Sequence, residues 1–424
     1  MKLMPLLLVV GIIAILFLRS RVRKDAILTL GLACLVILVA ASMILYPEPS
    51  FQGAERGLTV WWEVVLPALL PFFIAAELLM GMGVVHFMGV LCEPFMRPLF
   101  NVPGSGSFTM AMGIASGYPL GAALSARLKD DGLATKAEAE RLMCFCNTSD
   151  PLFMTGAVAV GMFKRADLAG IIIAAHYFSA IAVGLAMRFW RRRDPASPPI
   201  ASDGSFIVTR AYRAMRRAQT ANPRPFGKLL GDSVTRSVNT LLSILGFMVL
   251  FSVIFELLRI AGITAAISTG ISKVIPDFLI PKGIHESLVS GFFEITIGTS
   301  MASQAEASLF AKVAACSAII AWSGLSVHAQ VAAVIQPSGL SVLPYTLARF
   351  IQGILAAVLT VAFMKPGAAR WHLPTFEPHT VTGSLVWLQN VGAATKTCAA
   401  CVLAVALMST GLAAFDLLRR SLKR

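Results

Sequence analysis

The chain has 424 residues, 57% of them hydrophobic and 14% charged, and 36 Lys and Arg against 22 Asp and Glu give a formal net charge of +14. A mean hydropathy of +0.76, with several apolar runs near the roughly 20 residues needed to cross hydrocarbon, excludes an ordinary soluble domain and predicts a polytopic all-α membrane protein. In such a chain a basic excess is what the positive-inside rule demands of cytoplasmic loops, so no nucleic-acid partner is expected.

In chain order, residues 3–18 are apolar and are followed by Arg19, Arg21, Arg23 and Lys24 with no small-residue cleavage site, which predicts an uncleaved anchor with its N-terminus outside. Residues 26–46 cross back to an outer loop over 47–57, and 58–80 cross inward. The stretch to residue 100 contains Glu93, Pro94, Arg97 and Pro98, which suits an interfacial helix. Residues 107–128 form two apolar arms about Ser116-Gly117-Tyr118-Pro119, each too short to span, and read as a re-entrant hairpin. After a charged cytoplasmic turn over 129–141, residues 142–163 cross outward through the polar break Asn147-Thr148-Ser149-Asp150-Pro151, and 168–190 return. Residues 191–236 carry ten basic side chains against Asp194, Asp203 and Asp232, a net charge of 10 − 3 = +7, and read as a flexible cytoplasmic linker or a site for anionic lipid or a partner. Residues 238–258 exit, 283–309 form a second hairpin, 310–335 return and 343–363 exit. Residues 365–397 stay outside, with an amphipathic portion near Trp387, and a last span from about residue 398 ends in the cytoplasm. This topology puts Ser202 inside and His379 outside. The cysteines, at 34, 92, 144, 146, 316, 398 and 401, form neither a disulfide framework nor a metal site.

A displacement of 174 residues superposes Ser116-Gly117-Tyr118 on Ser290-Gly291-Phe292 and Ser149 on Ser323, and a displacement of 179 superposes Glu77 and Gly83 on Glu256 and Gly262. The two halves run in opposite directions, as an inverted repeat requires. The predicted fold is therefore an inverted-repeat transporter with two re-entrant hairpins and two broken transmembrane helices. Its divisions are N-terminal helices over 1–57, a first repeat over 58–190, the basic linker over 191–236, a second, inverted repeat over 237–364, and an external segment with a final helix over 365–424.

The chemistry is expected where the hairpin tips and the helix breaks converge. The first half supplies Ser116, Gly117, Tyr118, Pro119, Asn147, Thr148, Ser149 and Asp150. The second half supplies Glu294, Thr296, Thr299, Ser323, Gly324, Ser326, His328 and Gln330. A broken helix offers free N–H groups and a positive dipole end to anions, and free carbonyls to cations. Glu294 is a candidate for a coupling H⁺ or Na⁺, and His328 for substrate bonding or titration near neutrality. No Lys or Arg lies in these four elements, and Asp150 opposes an anion unless it is protonated or turned away. Glu77 and Glu256 read as structural pairing residues. No catalytic residue, metal or cofactor is expected: there is no phosphate-binding G-x-x-x-x-G-K-[ST], and Ile114 and Tyr118 occupy the glycine positions of a G-x-S-x-G elbow around Ser116, although His176 or His328 could supply a base.

Ser116-Gly-Tyr-Pro-Leu-Gly-Ala122, Cys146-Asn-Thr-Ser-Asp-Pro-Leu-Phe153, Phe293-Glu-Ile-Thr296 and Gly324-Leu-Ser-Val-His-Ala-Gln330 resemble, in order, the blocks of the YlbJ-type sporulation membrane proteins. That family belongs with the nucleoside-recognition or Gate domains and is similar in architecture to concentrative nucleoside transporters. The resemblance implies transport of dipicolinate across the outer forespore membrane of a sporulating cell, a multi-pass location in the cell membrane, and a homotrimer. Asp150 and Ile297 depart from the Gly and Asn that the family leads us to expect. The alternatives are a carrier of nucleosides or other small solutes and a non-transporting partner in a membrane assembly, the latter favoured by the long basic linker.

Overall fold

The computed structural model describes residues 24–199, 205–221, 223–274, 276–277 and 280–365. The first predicted span, Ser202, His379 and the predicted last span lie outside the described residues. Among the described residues the chain is helical, without strands.

Helix α1 (Lys24–Leu45) leads into α2 (Pro47–Val60), a π-helical turn (Trp61–Val65) and α3 (Leu66–Gly81). Two further pairs of short helices follow α4 (Val84–Phe100). These are α5 (Gly106–Ser116) with α6 (Leu120–Asp130), and α7 (Lys136–Cys146) with a π-helix (Phe153–Met162); α8 (Ala169–Met187) closes the half. After α9 (Ile207–Ala221) the same order recurs. The long α10 (Phe226–Ile260) and the amphipathic α11 (Ile263–Val274) precede the pair α12 (Lys282–Phe293) and α13 (Ile295–Gln304). The pair α14 (Leu309–Trp322) and α15 (Gly324–Ile335) comes next, and α16 (Leu343–Met364) ends the second half. Contacts recur with the elements. Helix α5 packs on α6 and α7 as α12 packs on α13 and α14, and α6 leans on α15 across the halves as α13 leans on the π-helix at Phe153–Met162.

Among the described residues four stretches are each long and apolar enough to cross a bilayer, Ala166–Met187, Phe226–Ile260, Leu309–Ser338 and Leu343–Met364, and two bent helix pairs, Thr29–Leu45 with Pro47–Glu63 and Leu69–Gly81 with Val84–Phe100, pass the same test together. The paired short helices have 10 to 14 residues each. At about 1.5 Å per residue each is therefore about half to two-thirds of the thickness of a hydrocarbon core. The break between α3 and α4 bends the chain by 82°, which accords with the interfacial helix expected up to residue 100.

The helix starts and stops have local causes. Thr135 begins α7 through a capping box, its hydroxyl accepting from Glu138 N–H at 3.3 Å while Glu138 accepts from Thr135 N–H at 2.8 Å. Gly83 and Asn101, both with left-handed backbone, bound α4. On α16 the polar side chains Tyr345, Arg349, Gln352 and Thr360 are buried, whereas Leu343, Leu347, Phe350, Ile351, Ile354 and Val358 are exposed. That is the reverse of a water-soluble helix and is the arrangement hydrocarbon surroundings impose.

Four expectations are corrected. Residues 47–57 are not a loop: they belong to α2, whose Ser50, Gly53 and Gly57 are buried against α10, and a Cβ at Gly53 or Gly57 would lie 3.0 Å from α10 backbone. Close approach of small residues stabilises this helix despite its low hydrophobicity. The linker over 191–236 is not structureless, because α9 buries Ile207 and Ala211 and packs on α4, and α10 already begins at Phe226. The displacement of 174 is one helical turn out at the hairpins: Gly117 sits in the first turn, but Gly291 lies inside α12 and the second turn is at Glu294. Small residues repeat at helical spacing on both arms, so neighbouring registers match almost equally well. Finally, Glu77 and Glu256 do not pair with each other. Glu77 meets Arg127 and Arg236, and Glu256 meets Arg259 and Arg56.

Candidate functional site

In the first half, Gly117 ends α5 at φ +79°, ψ −166°, a conformation that favours glycine, and turns the chain through Tyr118 and Pro119 into α6. The turn presses on the helix break. A Cβ at Gly117 would lie 2.8 Å from Asp150 Oδ2. Asp150 is turned to its own chain, its Oδ1 accepting from Phe153 N–H at 2.8 Å, and so caps the helix that resumes beyond the break. Asn147 continues from the last turn of α7. Its amide donates to Tyr345 Oη at 3.0 Å and its Oδ1 accepts from Ala122 N–H at 3.3 Å. Ser149 N–H donates to His176 Nε2 at 3.1 Å, and Ser149 carbonyl accepts from Tyr177 Oη at 3.0 Å. The hydroxyls of Ser116 and Thr148 are buried without partners among the described residues.

The second half repeats this meeting of turn and break with the carboxylate on the other partner. Glu294 separates α12 from α13 in extended conformation, and its Oε2 accepts from Ile297 N–H at 2.7 Å. The facing break is at Ser323 and Gly324, both in the left-handed region at φ +72° and +79°. For serine that backbone costs on the order of 1–3 kcal/mol. A Cβ at Gly324 would lie 3.0 Å from Phe293 carbonyl and 3.2 Å from Glu294 Cα. Trp322 fixes the approach by stacking on Phe292, with ring centroids 5.3 Å apart, and by donating to its carbonyl at 3.0 Å. His328 lies between Trp322 and Tyr345, its Nδ1 2.8 Å from Gly324 carbonyl and its Nε2 buried without a partner.

The two junctions are joined. Tyr345 Oη meets Asn147 of the first break and stands 3.4 Å from Ser323 Oγ of the second, and Tyr118 Oη donates to Ile320 carbonyl at 3.0 Å. Arg349 is fully buried and donates to the carbonyls of Cys144, a short contact, and of Asn147 at 3.0 Å. It therefore sets a cation against the negative end of α7, as buried arginines in apolar surroundings are expected to do.

A cavity of about 310 Å³ opens between α2 and α10 on one side and α13 and α15 on the other. Its polar lining comes from Arg56, Ser252, Glu294, Thr296, Ser300, Gln304 and Ser326, and its volume suits a small metabolite. Of the sequence-predicted residues, Glu294, Thr296 and Ser326 share this cavity. Ser116, Gly117, Tyr118, Pro119, Asn147, Thr148, Ser149, Asp150, Ser323, Gly324 and His328 form the two junctions and the polar seam between them. Thr299 turns its hydroxyl back to Ile295 carbonyl at 2.8 Å, and Gln330 is buried one turn beyond Ser326. Sequence reasoning missed Arg349, Tyr345 and Gln352 on α16, Tyr177 on α8 and Arg56 on α2, and weighed His176 on α8 only as a base. For the α16 group the signal was a polar stripe at helical spacing in an apolar run.

An apolar bundle that turns its polar side chains inward around two interrupted helices defines an integral membrane protein. Residues 62–166, which contain the first hairpin and first break, match the family described as Gate, nucleoside recognition. Over 347 residues, 82% of this chain and 85% of the relative, the chain is 44% identical to the sporulation integral membrane protein YlbJ of Bacillus subtilis strain 168, and it belongs to that family. An uncharacterised protein of Alkalihalophilus pseudofirmus is 33% identical over 107 residues, 24% of this chain and 23% of that one. No solved structure matches the chain.

Proposed function

We propose that the chain is a secondary carrier that moves a small anionic metabolite by alternating access at the interface of its two halves. Dipicolinate is the first candidate because it is the solute the family resemblance implies. In this reading the halves are an inverted repeat, the α5/α6 and α12/α13 pairs are re-entrant hairpins, and α7 with residues 151–162, like α14 with α15, is a broken span. One observation carries the reading: inside an apolar bundle, each half brings a hairpin turn against a helix break, with a carboxylate at each meeting point capping a half-helix.

The capping pattern bears on charge. Asp150 is directed to Phe153 N–H, which sets its charge against a helix N-terminus, whereas α15 begins without a side-chain cap and leaves its positive end for an anion. Coupling to H⁺ or Na⁺ falls to Glu294. No catalytic role is assigned; His176 Nε2 accepts from Ser149 N–H. The carrier sits as a multi-pass protein in the cell membrane, in a sporulating cell the outer forespore membrane, and assembles as a homotrimer.

A neutral nucleoside is the second reading, favoured by the match of residues 62–166 to a nucleoside-recognition family. Binding of dipicolinate and of uridine to purified wild type and Asp150→Gly, with uptake into liposomes under imposed H⁺ and Na⁺ gradients, separates the two. The anion reading expects saturable dipicolinate binding that strengthens in Asp150→Gly. Uridine binding without dipicolinate binding in both proteins overturns it.

A further inference from the structure

Arg56 stands on α2, in the stretch whose sequence reads as a loop, and its side chain is 48% exposed at the wall of the cavity. Its acidic neighbour is Glu256, 3.6 Å away on α10 and buried. That carboxylate does not depend on Arg56. Arg259 Nε donates to both of its oxygens at 3.1 Å and Arg259 Nη2 donates to Oε1 at 2.5 Å. A carboxylate held in this way by one guanidinium leaves the second with its donors unused.

Across the cavity stand Thr296, Ser300 and Gln304 of α13 and Ser326 of α15. Ser326 is 2% exposed, and its hydroxyl has no hydrogen-bond partner among the described residues. It lies in the first turn of α15, the half-helix that begins without a side-chain cap. The carboxylate that also lines the cavity, Glu294, is engaged with Ile297 N–H at 2.7 Å. The cavity thus gathers one cation with free donors, two buried serines, Ser326 and Ser252, whose hydroxyls have no hydrogen-bond partner among the described residues, and one uncapped helix N-terminus.

We propose that Arg56 is the specificity-determining residue of this cavity: its guanidinium exchanges the shared Glu256 carboxylate for a carboxylate of the cargo, while Ser326 and the first amides of α15 receive the opposite end. The ligand class is a small carboxylic acid anion, preferably one with two acidic groups at opposite ends. This rests on the carrier reading given above and adds a residue to it that lies outside the hairpin tips and breaks. Arg56 is chosen for recognition over structure because Glu256 keeps its partner when Arg56 is removed.

The test is equilibrium binding of radiolabelled dipicolinate and of uridine to the purified full-length protein in wild-type, Arg56→Gln and Arg56→Lys forms, with thermal unfolding measured on each. Loss of a charge-assisted forked contact should weaken dipicolinate binding at least tenfold in Arg56→Gln, with the unfolding temperature unchanged. Arg56→Lys should recover part of the affinity, because it restores the charge without the fork. Wild type that binds dipicolinate together with an Arg56→Gln that binds it equally well overturns the role of Arg56 and leaves the carrier reading standing. Wild type that binds uridine alone overturns both. Should Arg56→Gln fail to fold, Arg56→Lys decides: unchanged dipicolinate affinity in that variant overturns the proposal, and a several-fold loss at unchanged unfolding temperature supports it.

Discussion

Replacing Gly117 by alanine tests whether the first hairpin turn is held against the first helix break. The substitution meets two obstacles. The backbone at φ +79°, ψ −166° is a region other residues enter at a cost of about 1–3 kcal/mol. The new methyl group would also lie 2.8 Å from Asp150 Oδ2 and 3.2 Å from its Cβ, an overpacking that costs about 1–3 kcal/mol. Together they predict a loss of about 2–6 kcal/mol. Gly132 is the control, because its φ is also positive, at +72°, but nothing lies within 4 Å of a Cβ there. Alanine at that position should cost only the backbone part, about 1–2 kcal/mol. Unfolding of detergent-solubilised protein, followed by tryptophan fluorescence, measures both. The double variant Gly117→Ala with Asp150→Gly removes the obstructing side chain, so the cycle should show a favourable coupling of at least about 1 kcal/mol, with the lost Phe153 cap subtracted by the single variant. The reasoning fails if Gly117→Ala is no more destabilising than Gly132→Ala, or if the double variant is additive.

Glu294→Gln should change the H⁺ or Na⁺ dependence of liposome transport at normal expression, because Glu294 is the carboxylate facing the cavity; normal transport with unchanged ion dependence removes it from the site. Glu140→Ala should destabilise the protein by about 2–5 kcal/mol in the same unfolding assay, since donors left without partners cost about 1–3 kcal/mol each. The carboxylate accepts from Trp190 Nε1 at 3.1 Å, from Arg191 Nη1 at 3.3 Å and, across the halves, from Ser341 N–H at 3.2 Å. A change below about 0.5 kcal/mol would show that this latch between the halves does not contribute to stability.

The interruptions were the most legible part of the fold. Asn-Thr-Ser-Asp-Pro at 147–151 and Ser-Gly at 323–324 stop helices for local reasons, whether a proline without N–H, polar side chains that compete for backbone, or a glycine that tolerates positive φ. The structure breaks both helices there. Helix α2 was not legible, because Pro47, Glu48, Glu55 and Arg56 give it the composition of a loop. What makes it a helix is tertiary: the small face of Ser50, Gly53 and Gly57 needs α10 opposite it, and α10 begins only at Phe226, far along the chain. Register within the hairpins was illegible for a related reason. Apolar arms with recurrent small residues pack almost as well one turn displaced, and only the position of Glu294 in the turn distinguishes the registers.

Arg349 shows a different kind of failure. It lies in a run that satisfies every test for a simple span, and counting hydropathy over the whole run conceals it. Reading the run by face instead puts Tyr345, Arg349, Gln352 and Thr360 on one side and the leucines, isoleucines and phenylalanine on the other, and a charged side chain on the polar face of an apolar helix must find partners inside the bundle. Its partners are the carbonyls that end α7. Both bonds go to the negative end of a broken helix, which offsets part of the charge of Arg349, while its Nε is buried without a partner among the described residues. An anion carrier built on this frame also has Arg56 to draw on, a half-exposed cation on the cavity wall formed by α2.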